Sequence, residues 1–125
     1  MINRKYRNVV VDNELKIGAG GNFRVDRGSV TLASNTGTLN KMAGVITTES
    51  LNTAGAASQA LTITDSKVSA SDIIVVSQIG GTNTTRAISF VAVASAGSFV
   101  ITVYNNTAAT ALNGTLILGF VILKA

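Results

Sequence analysis

The chain has 125 residues, room for one domain and an arm, and its 46% apolar content is enough to call for a packed core. Charged residues make up only 13%, with net charge +4, while Thr, Ser and Asn fill 37 of the 125 positions. His, Cys, Trp and Pro are absent, which removes the commonest general base and metal ligand, any disulfide framework, and one of the usual guards of an exposed sheet edge.

Charge divides the chain. Residues 1–44 hold seven basic residues (Arg4, Lys5, Arg7, Lys16, Arg24, Arg27, Lys41) against Asp12, Glu14 and Asp26, while residues 45–125 hold three of each sign. The expected organisation is therefore a basic arm and connector over 1–44 and a neutral domain over 45–125. Within the arm, Asn8–Ile17, Asn22–Asp26 and Ser29–Ala33 have strand composition, separated by Gly18-Ala19-Gly20-Gly21 and Arg27-Gly28. Too little apolar area is available there for independent folding, so the arm should order on a neighbour. Residues 34–44 read as a connector.

Six further runs have strand composition: Val45–Leu51, Gln59–Thr64, Asp72–Ile79, Thr85–Val93, Ser98–Tyr104 and Thr115–Leu123. Turn-forming pairs separate several of them, and Gly97 is placed to turn a hairpin between the fourth and the fifth. Density of Thr and scarcity of helix formers point the same way. The expected fold is all-β, a jelly-roll-like β-sandwich with an extended N-terminal β arm.

Gln59–Thr64 alternates, with Leu61 and Ile63 on one face and Thr62 and Thr64 on the other. Thr115–Leu123 does not: Leu116, Leu118, Phe120 and Ile122 share one face, and Ile117, Gly119, Val121 and Leu123 the other. A strand apolar on both faces needs cover on both. The expected cover is a second subunit, with Leu118, Phe120, Val121 and Ile122 at the subunit interface.

Other motifs point to structure rather than chemistry. Gly18–Gly21 lacks the Lys-Ser/Thr of a phosphate loop. Asp65 and Asp72 flank a short loop but make a poor calcium set. Asn83, Asn105 and Asn113 begin Asn-x-Thr sequons, and no export signal is expected from Met1–Val11. The six carboxylates are scattered and no Ser or Thr has a His partner, so no enzyme activity, cofactor or metal is expected. The uncharged stretch Ala87–Leu123 is broken by Ala96-Gly97-Ser98 and by Asn105-Asn106-Thr107. Its longest apolar run is too short for a spanning helix, so no membrane partner is expected.

From Leu39 onward the chain carries Gly44–Leu51, Leu61–Asp72, Ala96–Tyr104 and Ala111–Phe120. This pattern resembles a small β domain of tailed-bacteriophage virion proteins: capsid cement (decoration) proteins, head fibres and fibre tips. The resemblance implies a trimeric sandwich on the outer surface of the capsid, bridging major capsid protein subunits without direct contact with nucleic acid. The capsid-docking arm would then be Arg4, Lys5, Arg7, Val9, Val11 and Leu15. A fibre-tip or head-fibre protein that binds a host receptor or glycan is the second reading, and the low aromatic content (5%) weighs against sugar stacking.

Overall fold

The computed structural model describes residues 10–125. Among them there is no helix. Eight strands form: β1 Arg27–Thr31, β2 Thr36–Thr38, β3 Ala43–Thr47, β4 Ser58–Thr64, β5 Ile73–Gly81, β6 Ile88–Ser95, β7 Ser98–Asn105 and β8 Leu116–Leu123. They make two four-stranded sheets, β1-β3-β8-β5 and β2-β4-β7-β6. Their facing sides enclose one hydrophobic core.

The chain changes layer at almost every step. Only β6 and β7 are successive strands within one sheet, and the Gly97 turn joins them as a hairpin in which Ser95 pairs with Ser98. Gly97 has φ 77°, a conformation that glycine adopts without a Cβ clash. The alternation puts β1 beside β3 and β2 beside β4 as parallel pairs, while all other ladders are antiparallel. A jelly roll is antiparallel throughout; the architecture here is a sandwich of two mixed sheets.

Strand alternation builds the core. Leu61 and Ile63 of β4, with Phe99, Ile101 and Val103 of β7, face Ile46 of β3 and Leu116, Leu118, Phe120 and Ile122 of β8. The Phe99 and Phe120 rings, one from each sheet, meet at a centroid distance of 5.0 Å and a tilt of 49°. Such contacts add to the burial itself. Thr48 closes one end: its hydroxyl accepts from Leu116 N and donates to Glu49 O, so the buried oxygen is satisfied.

Three expected elements change. The segment 27–44 is not arm or connector: β1 and β2 add to the two sheets, and Leu32 and Leu39 are buried in the core. Ser29–Ala33 has strand composition and overlaps β1, but its parallel partner and the short β2 leave no local signal. The described parts of Asn8–Ile17 and all of Asn22–Asp26 form no strand, since no ladder partner lies beside them. The fourth run begins at Ile88 rather than Thr85, because Asn83 and Thr85 are committed to loop hydrogen bonds.

Candidate interaction surfaces

β8 is apolar on both faces, and packing decides which face turns inward. Leu118, Phe120 and Ile122 lie between the sheets at 0%, 5% and 3% exposure, so they are core residues of their own chain and not a subunit interface. Only Val121 of the four expected interface residues belongs to the outward row, with Ile117, Gly119 and Leu123. The correction follows from the period of two: one row of β8 meets β7, and the other must face away.

The outward row sits in a wider apolar surface. Across β3, β8 and β5, Ala43, Val121 and Val75 stand side by side, and the next row is Val45, Gly119 and Ser77. Ile73 and Ile79 on β5 add two more exposed side chains, at 61% and 60%. Arg27, on the margin at β1, is the only charged residue of this face among the described residues. The face is therefore nearly free of charge, and its hydroxyls, Ser29, Thr31, Thr47 and Ser77, surround an apolar centre on β8 and β5.

A depression of about 350 Å³ lies in it, lined by Val45, Val75, Ser77, Ile79, Gly119 and Val121 among others. Gly119 makes it, having no side chain in the middle of a central strand. A glycine there costs about 0.5–1 kcal/mol relative to alanine. Neither of the usual reasons applies. Its φ is not positive, and an added Cβ would sit 3.5 Å from Ile79 Cγ2, an ordinary contact. Gly44, on the neighbouring strand, is different: a Cβ there would come within 2.6 Å of Gly28 O and 2.7 Å of Leu39 Cδ2. Packing demands Gly44 and leaves Gly119 free.

The expected arm residues fall in two groups. Arg4, Lys5, Arg7 and Val9 lie outside the described residues. Val11 and Leu15 are exposed, as are Val10, Ile17 and Phe23, and no strand pairs with the segment 10–26. Gly18–Gly21 is a turn, with Gly21 N donating to Gly18 O, as expected of a backbone bend.

The titratable groups form no reactive set. Asp65 is buried; its Oδ1 accepts from Lys67 N, while its Oδ2 has no partner. Burial pushes its carboxyl above the usual range, against the pull of the Lys67 and Lys41 backbone amides. Asp72 is held below the usual range, first by Lys124 Nζ and then by Ser69 N. Lys124 already neutralises the carboxylate that a cation at this loop would need. Glu49 is spent elsewhere, accepting from Asn35 N at 2.8 Å. No group of three or more His, Cys, Asp or Glu side chains gathers among the described residues.

Two sequon asparagines turn out to organise loops, a role the sequence did not single out. Asn105, 1% exposed, donates to the Thr53, Ala54 and Thr110 carbonyls and accepts from Thr107. Asn83, 6% exposed, donates to Thr85 O and accepts from Asn113 N. Buried amides with these partners stitch loops together and are closed to a glycan. Comparison with known proteins finds no match to a family model, to a curated protein or to a solved structure.

Proposed function

We propose that this chain is a capsid cement protein of a tailed bacteriophage, acting as a homotrimer on the outer surface of the head and bridging major capsid protein subunits. The observation that carries the reading is the arm: Val10, Val11, Leu15, Ile17 and Phe23 are all exposed on a segment that forms no ladder with any strand among the described residues. Such a segment is suited to adding strands to a neighbouring protein, where backbone hydrogen bonds and apolar burial act together. The resemblance from Leu39 onward supplies the class of neighbour. The scattered carboxylates and the absence of His turn the reading away from catalysis.

Cement of this kind adds buried area across joints between shell subunits, so that internal pressure no longer opens them. On an acidic shell surface Arg4, Lys5 and Arg7 would add only exposed ion pairs, each under about 1 kcal/mol and screened by salt. Apolar burial is much less salt-sensitive, and several arms per oligomer multiply it. Co-sedimentation with expanded capsids across a salt series tests this. Val11→Ser with Leu15→Ser should weaken binding far more than neutralising Arg4, Lys5 and Arg7. Release of the parent protein by high salt alone would show that charge, not strand addition, holds the arm.

A further inference from the structure

Two surfaces with exposed apolar side chains are left uncovered among the described residues: the arm over 10–26 and the outer face of the first sheet. They are continuous. A depression at the arm root, lined by Phe23, Arg24, Val25 and Asp26, shares Arg27 and Ala43 with the depression around Gly119. In the single chain neither covers the other, since Phe23 is 72% and Ile79 60% exposed.

From this we infer that the outer face of the first sheet, centred on the notch at Gly119, is where a second copy of this chain packs. Three observations select that occupant. The notch serves no purpose within the fold, because a Cβ at Gly119 would make only ordinary contact. A strand glycine of that kind marks a place where another surface approaches closely. The face is almost uncharged, so a copy of it desolvates without stranding an ion, and an acidic or basic partner would find nothing to pair with. The third argument is area. The four strands, of 5, 5, 8 and 9 residues, present roughly 400 Å². A stable interface needs about 800 Å² from each partner. The arm of the second copy, rooted beside the same face and carrying five exposed apolar side chains, supplies the remainder.

The inference concerns contact between copies and holds whatever the assembly attaches to. Sedimentation velocity of the full chain, with no capsid present, tests it. The parent should assemble at micromolar concentration. Gly119→Glu should remain folded by circular dichroism and sediment as a monomer. Thr102→Glu, on the outward row of the second sheet, should assemble like the parent. A monomeric parent, an assembling Gly119→Glu, or a dissociated Thr102→Glu each overturns the proposal.

Should Gly119→Glu fail to fold, cysteine labelling decides instead. The chain has no Cys, so Ser77→Cys places a single thiol beside the notch. Its reaction with a maleimide should slow as protein concentration rises, while Ser89→Cys on the second sheet should not change. A Ser77→Cys rate that is fast at every concentration means an open face. One slow at every concentration means that the chain's own arm covers it. Either result overturns the proposal. A parent that assembles yet ignores capsids would leave this inference standing and remove the cement reading.

Discussion

The outward faces of the two sheets differ in kind, although their inward faces share one core. On the second sheet the rows run Ser58–Tyr104–Ser89, Ala60–Thr102–Val91, Thr62–Val100–Val93 and Thr64–Ser98–Ser95. Hydroxyls recur in every row, and β-branched Thr keeps strand preference while giving water something to bond. On the first sheet the rows are Arg27–Ala43–Val121–Val75, Ser29–Val45–Gly119–Ser77 and Thr31–Thr47–Ile117; the hydroxyls gather on β1, Thr47 and Ser77, and the outward row of β8 has none. Both faces lack charge apart from Arg27 at a margin. The second face spreads hydroxyls through every row, and the first leaves β8 and most of β5 apolar.

The sharpest way to break that comparison lies within one strand. Phe120 and Val121 are neighbours on β8 pointing to opposite sides. Phe120→Ala should cost about 3–5 kcal/mol of folding stability, read from urea unfolding, because it empties a site packed against Phe99. Val121→Asp should leave the monomer folded and abolish self-association. Equal loss of folding in both variants would mean that the outward row is as integral to the fold as the inward one.

A smaller effect is expected at the link between the sheets, where Asp65 follows β4 and Asp72 precedes β5. Asp72, with a lowered carboxyl, stabilises the fold above the ordinary Asp value of 3.8, and that contribution is lost as pH falls through its lowered folded value. Asp65, with a raised carboxyl, acts in the opposite sense: folding is opposed as pH rises from 3.8 through the raised value. Asp72→Asn should therefore lower the thermal midpoint at neutral pH, with the deficit vanishing in acid. Asp65→Asn, which keeps an acceptor for Lys67 N, should raise the midpoint at neutral pH and do nothing below pH 3.8. Identical shifts from both substitutions would contradict the assignment.

Weaker still for folding are exchanges between the outward faces. Val75→Thr and Thr102→Val should each change stability by no more than about 0.5 kcal/mol. Sedimentation should nevertheless show weaker association for the first and stickier behaviour for the second. Least of all should depend on the arm. Removing residues 1–26 ends before β1 and leaves every ladder of the sandwich in place, so the melting curve should barely move while capsid binding disappears. A large fall in melting temperature would place the arm within the fold.

Where local pattern was clean, the sequence could be read directly. Gln59–Thr64 alternates, and Leu61 and Ile63 do face the core. Ala96-Gly97 does turn the one hairpin that stays within a sheet. Ser29–Ala33 has strand composition, and Ser29–Thr31 does lie in β1; by contrast, TGT of β2 carries almost no signal and becomes a strand only because β4 offers it a parallel edge. Nothing local distinguishes Gly44, which packing requires, from Gly119, which it does not.

By itself the sequence determined the class of the fold, because apolar runs of strand length, abundant Thr and turn residues at short intervals permit little else. It also determined that both rows of β8 are apolar. Which row met the chain's own second sheet was decided only by tertiary structure. The register that brings Phe120 onto Phe99 turns Leu118 and Ile122 inward with it, and the same twofold period leaves Ile117, Gly119 and Val121 facing out.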